Sequence, residues 1–134
     1  MRKRHVMLAM GLGVCSAISA LDIASAQMPL PAAKSVPDGT ALFKQQCATC
    51  HTTSLSDAPR QGPPLVQIIG RQAGKFEGFR YSSGLAQADF TWDEEKLDAW
   101  LSNPQDLVPG SIMAYRQTKG ETRAAIITYL KGLN

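Results

Sequence analysis

The spacing of apolar positions changes along the chain and divides it into unequal parts. Residues 6–21 are almost wholly apolar, behind the basic start Arg2, Lys3, Arg4 and His5 and ahead of Ala24-Ser25-Ala26, a small-x-small cleavage pattern. That order reads as an export signal removed after residue 26. The run of 16 apolar residues falls short of the ~20 that a spanning helix needs. An uncleaved membrane tether is the alternative reading. A lipid anchor on Cys15 ranks lower, because Val14 stands before it where a small residue is expected. Residues 27–37, QMPLPAAKSVP, hold three prolines and no period, and read as an N-terminal extension.

Helical patterning begins at Asp38, the expected cap of a short helix ending near residue 46, with Leu42 and Phe43 on one side. Residues 52–87 then lose any period. They are rich in glycine, proline and serine, with turn signals at Gly62-Pro63-Pro64, Gly70, Gly74, Gly78 and Gly84. So long a loop inside a small domain is expected to wrap something. Two more helices follow. Thr91 with Glu94 forms a capping box for a helix to about Asn103, ended by Pro104. Thr118 with Glu121 opens a last helix to about Gly132, with Ile126, Ile127, Leu130 and Leu133 as its apolar face and Tyr129 beside it. There is no internal repeat and no convincing strand. The expected fold is all-α, three main helices and long loops.

Composition changes this picture little. After cleavage 108 residues remain, enough for one small domain with one core, over residues 38–134. Without Arg2, Lys3 and Arg4 the chain keeps 11 bases, and without Asp22 it keeps 10 acids. This near balance excludes a nucleic-acid-binding face.

The chemistry concentrates at CATCH, residues 47–51. Zinc normally takes four cysteine or histidine ligands in a structural site, and Cys47, Cys50 and His51 exhaust the mature supply. A disulfide exchanger needs its Cys-x-x-Cys at the start of a helix in a strand-rich frame, whereas this pair ends a helix. Covalent haem c accounts for each residue: Cys47 and Cys50 take the two vinyl groups, and His51 is brought beneath the iron. With no second histidine, the soft donors left for the sixth position are Met28, in the extension, and Met113, after the rigid Pro109-Gly110-Ser111 turn. Core filling is the competing role for a lone methionine, but an iron in need of a ligand favours Met113.

Over residues 37–134 the chain resembles the class I cytochromes c, the mitochondrial type and its bacterial relatives. The marks, in family order, are GTALFKQQCATCH, GPPL, GRQAG, FRYS, TW, LSNP, VPGSIM and TRAAIITYLK. The resemblance implies the cytochrome c fold around one covalent haem. It implies that the Pro63 carbonyl accepts the His51 ring N–H, that Arg71, Tyr81 and Trp92 surround a haem propionate, and that Leu65, Trp100, Leu101 and Tyr115 line the pocket. It also implies a close crossing of the first and last helices at Gly39 and Tyr129. Trp100 replaces a tyrosine that reaches the methionine sulfur, and Tyr115 replaces a phenylalanine. Five acids against the single base Lys96 between residues 93 and 113, with Ile112 where a lysine is usual, argue against strong electrostatic steering.

The function expected from this resemblance is a monomeric periplasmic electron carrier, not an enzyme. Its redox partners would be a dehydrogenase or quinol-oxidising complex and a terminal oxidase or reductase. With the signal cleaved, no stable membrane insertion is expected. A dedicated haem subunit of a periplasmic dehydrogenase is the alternative. A gas-binding sensor or haem enzyme with a displaceable Met113 ranks third, since no distal histidine or catalytic acid supports it.

Overall fold

The structure is a computed structural model that describes residue 35 and residues 37–133. The expected export signal and nearly all of the expected extension, with Cys15 and Met28, lie outside the described residues. Five helices follow in order: α1 (Gly39–Gln46), α2 (Ser83–Ala86), α3 (Glu94–Ser102), α4 (Pro104–Leu107) and α5 (Gly120–Lys131). The only β pairing among the described residues is an isolated antiparallel bridge between Gln72 and Thr91. The all-α expectation of three main helices therefore holds.

Each main helix starts for a local reason. The Asp38 carboxylate accepts from Thr40 N–H at 2.9 Å, which satisfies one orphan donor of α1. At α3 the structure corrects the expected capping box. Thr91 is engaged in the bridge to Gln72, and Asp93 caps instead, accepting from Lys96 N–H at 2.6 Å. Glu94 and Glu95 in the first turn then suit the positive end of the helix dipole. The second box also fails. Lys119, which has no acceptor to offer, takes the cap position of α5 with no side-chain cap, and the Gln117 side chain accepts from Lys119 N–H at 3.1 Å. Arg123 meanwhile donates to the carbonyls of Gln117 and Thr118 at 2.9 and 3.2 Å. That entry is set by side chains reaching back, not by Thr118. Pro104 also does more than end a helix, since it occupies the first turn of α4, where its missing N–H costs nothing.

The core lies where α1 and α3 meet α5. Ile126 is fully buried, with Phe43, Leu97, Trp100, Leu101 and Leu130 around it. Helices α1 and α5 cross closely at Gly39, where a Cβ would stand 2.2 Å from the Ala125 carbonyl oxygen and 2.9 Å from Tyr129 Cβ. One turn on, the Phe43 and Tyr129 rings lie 5.2 Å apart. Two ion pairs tie α5 to α3, Arg123 with Asp98 at 2.7 Å and Lys131 with Glu94 at 2.6 Å. Their reversed order in sequence makes the two helices antiparallel.

The long loop between α1 and α2 is held by backbone pairing at a few points. Gly62 N–H donates to Cys50 C=O at 2.9 Å, Leu65 N–H to Thr52 C=O at 2.8 Å, and Ala73 N–H to Phe90 C=O at 2.9 Å. These bonds fold the loop back along the end of α1 and beside the segment entering α3, which leaves room for a cavity between loop and helices.

Candidate functional site

Cys47 is the C-cap of α1, its N–H donating to Phe43 C=O at 2.9 Å. The chain keeps turning, with His51 N–H on Cys47 C=O at 2.9 Å. This winding brings Cys47, Cys50 and His51 to the wall of one cavity of about 400 Å³, within the size range of small-molecule and cofactor sites. No disulfide joins the two cysteines. Burial, helped by the neighbouring Cys50, pushes the Cys47 thiol up to about 11. A thiol-exchange catalyst needs the opposite shift. Nor do three or more His, Cys, Asp or Glu side chains converge as metal ligands among the described residues, so the donor set does not suit zinc.

The His51 ring is fixed from two sides. Its Nδ1 lies 2.8 Å from the Pro63 carbonyl oxygen. A carbonyl only accepts, so Nδ1 carries the proton and, in the neutral ring, Nε2 keeps a lone pair. Burial first, and the Arg71 charge after it, lower the His51 pKa from its ordinary value against the opposing effect of the Pro63 bond. The ring is therefore neutral at neutral pH and presents Nε2 as a donor. On the other side Gly62 presses against it: a Cβ there would lie 2.2 Å from His51 Cε1 and 2.6 Å from Nδ1. Gly62→Ala is expected to tilt the imidazole away from Pro63 and to cost about 1–3 kcal/mol, the usual penalty of overpacking. Urea unfolding monitored together with the absorption spectrum checks both effects.

Every site residue expected from the sequence lines this cavity: Cys47, Cys50, His51, Pro63, Leu65, Arg71, Tyr81, Trp92, Trp100, Leu101, Met113 and Tyr115. The Arg71 guanidinium is pinned by backbone, donating to Pro64 C=O at 2.8 Å and Val66 C=O at 3.3 Å, and lies over the Phe76 ring at 5.1 Å. Burial pushes the Tyr81 hydroxyl above its usual range while the Arg71 charge opposes it, so the hydroxyl stays protonated and able to donate. Trp92 is wedged between Phe90 and Trp100, with ring centroids 4.9 and 5.4 Å away.

Reading the sequence missed several contributors. Leu85, Phe79 and Ser82 also line the cavity, and Gly62, which the sequence marks only as a turn residue, lies against the His51 ring. The Ser82 hydroxyl is buried with no partner, as is that of Ser111, two residues before Met113. Buried hydroxyls without partners are costly. A group bearing carboxylates would satisfy Ser82 within the cavity, and an otherwise apolar wall of leucine, isoleucine and tryptophan suits a porphyrin. The residues thus fit a haem held through Cys47 and Cys50.

Comparison with known proteins agrees with that fit. The family described as Cytochrome c matches residues 36–134. Among similar proteins, a cytochrome c of Ginkgo biloba is 37% identical over 94 residues, covering 69% of this chain and 83% of the relative. One from Kluyveromyces lactis is 36% identical over 105 residues, covering 77% and 96%. One from Chlamydomonas reinhardtii is 39% identical over 94 residues, covering 69% and 84%. With the match running from before α1 to the end of α5 and taking in the whole cavity wall, this chain belongs to the cytochrome c family.

Proposed function

We propose that this cytochrome c is exported to a bacterial periplasm and works there as a free monomeric carrier, with His51 and Met113 as the axial ligands of its haem iron. As a member of the family it is an electron carrier and not an enzyme, and it holds covalent haem c through Cys47 and Cys50. The observation that carries the proposed ligation is the convergence of the neutral His51 ring and the Met113 thioether on one largely apolar cavity. Bound haem supplies the exchange of one electron between ferrous and ferric iron.

The chain's own residues tune that exchange. The Pro63 carbonyl strengthens His51 as a lone-pair donor by accepting a hydrogen bond from its Nδ1–H. Histidine with methionine ligation raises the potential, and a filled sixth position would leave the iron no site for bond making. Leu65, Leu97, Trp100, Leu101, Ile126 and Leu130 line the cavity and keep water from the iron, which limits reorganisation when the charge changes. Arg71, Tyr81, Trp92 and Ser82 supply a cation and polar hydrogens for the haem carboxylates.

Export rests on the basic start, the apolar run of residues 6–21 and the Ala24-Ser25-Ala26 site. The donor would be a dehydrogenase or quinol-oxidising complex, and the acceptor a terminal oxidase or reductase. One observation favours the second reading, a dedicated subunit: Ile112, next to Met113, is 77% exposed. An apolar side chain so placed suits a lasting interface better than a brief charged encounter.

The test is made on protein purified from the periplasmic fraction. Its mass should start at Gln27, and it should elute alone. The ferrous spectrum should not change on adding carbon monoxide. A retained signal rejects the free periplasmic form, co-elution with a large partner favours the subunit, and rapid binding of the gas rejects the closed six-coordinate carrier.

A further inference from the structure

The segment that carries Met113 is anchored at both ends and not in between. Ser111 N–H donates to Val108 C=O at 3.1 Å, and Gln117 N–H donates to Leu101 C=O at 2.8 Å. Gln105 adds a side-chain bond to the Ser111 carbonyl at 2.7 Å. From residue 112 to 116 no backbone hydrogen bond is made among the described residues. Exposure alternates along this stretch: Ile112, Ala114 and Arg116 face solvent, while Met113, Tyr115 and Gln117 are half-buried. An extended run held only at its ends can carry the sulfur away from the cavity unless a side chain ties it down.

One side chain does. The Tyr115 hydroxyl donates to Gln46 Oε1. Gln117 Nε2 donates to the same oxygen at 3.3 Å and approaches the Tyr115 hydroxyl at 3.4 Å. Gln46 is the last residue of α1 and immediately precedes Cys47, so this cluster joins the methionine segment to the helix end that bears the thioether attachment. Apart from Gln117 itself, Tyr115 makes the only polar tie of the segment between its anchors among the described residues.

We propose that Tyr115 is a positioning residue, a latch whose bond to Gln46 holds the Met113 sulfur in ligand position and so keeps other ligands off the iron. The proposal rests on the reading of Met113 as the sixth ligand. A phenylalanine would fill the same space but could not close the latch, so Tyr115→Phe isolates the hydroxyl. A typical net hydrogen bond corresponds to roughly a fivefold change in the population of the detached segment.

The test uses the ferric haem-loaded protein with imidazole as the probe, entry being followed by absorption in stopped flow. Tyr115→Phe, Gln46→Leu, the double variant and Met113→Ala are compared, each with its urea midpoint. Imidazole should bind about fivefold faster to Tyr115→Phe, with a similar gain in Gln46→Leu and no further gain in the double variant. A residue that merely stabilised the fold would lower the midpoint and leave the rate at the wild-type value. That result, or gains that simply multiply in the double variant, overturns the latch. Wild type binding imidazole as fast as Met113→Ala overturns instead the ligand reading beneath it.

Discussion

Met113→Ala is expected to turn the ferrous protein from one that ignores carbon monoxide into one that binds it stoichiometrically. Met113 lines the cavity with His51, and the one other histidine, His5, lies in the basic start of the chain. The other methionines, Met1, Met7, Met10 and Met28, all precede the residues of the cavity wall. Alanine has no donor atom, so the sixth position would fall to water or stand open. Loss of the thioether should also lower the reduction potential, on the order of 0.2 V within the roughly 0.8 V that axial ligation spans across haem proteins. The stability cost should stay near the low end for methionine truncation, about 2 kcal/mol, because Met113 is only half-buried. Spectra with and without the gas, beside a redox titration, give the answer. A variant that still ignores carbon monoxide would mean that some other group closes the iron.

How much of this site could be read from the sequence depends on what kind of signal each residue carries. Cys47, Cys50 and His51 are legible because their chemistry demands a fixed local spacing. Met113 is legible by elimination, and Pro63, Arg71, Tyr81 and Trp92 through the order of family marks in which they stand. The helices α1, α3 and α5 show a period. Helices α2 and α4 are four residues each, about one turn, and one turn has no period to read. The two capping boxes misled for a different reason. Thr91 and Thr118 sit at the right distance from Glu94 and Glu121, but a cap also needs a free hydroxyl in the right backbone conformation. Thr91 faces Gln72 in a bridge closed by the flanking Ala73–Phe90 and Trp92–Arg71 bonds, two residues ahead of the cap Asp93, and the Gln117 and Arg123 side chains shape the chain around Thr118.

The remaining features are relations across space and have no local mark. Nothing in the sequence distinguishes Ser82 and Ser111, with buried and unpartnered hydroxyls, from solvated serines. Tyr115 could be placed as a pocket residue, but its bond to Gln46 links positions far apart in the chain. Gly62 has the look of a simple turn glycine beside two prolines. Its stronger requirement, room for the His51 ring, emerges only once the loop has folded back. Gly62 stands against the His51 ring and Tyr115 two residues beyond Met113, so two of these spatial relations bear directly on the proposed ligands.

Gly39→Ala should be among the most destabilising single-methyl additions available to this chain. The new Cβ would meet the Ala125 carbonyl oxygen at 2.2 Å and Tyr129 Cβ at 2.9 Å. Neither atom can be moved by a rotamer change, since one is backbone and the other is fixed to it. The two helices must separate, and the buried Phe43 and Ile126 lose contact with them. A loss of about 3 kcal/mol follows from the upper end of ordinary overpacking penalties, a large share of the stability of a small domain. The effect should reach the site as well, because α1 ends at Cys47 and its tilt sets where Cys50 and His51 stand. Gly120→Ala is the control, on the first turn of α5, where the nearest contact of an added Cβ is the flexible end of Arg123 at 3.8 Å. It should be neutral or stabilise by a few tenths of a kcal/mol, since alanine is the better helix former. Urea unfolding of both variants at equal m value separates the two effects. Equal midpoints would show that the crossing of α1 and α5 opens without cost, and that Gly39 is not what brings the helices together.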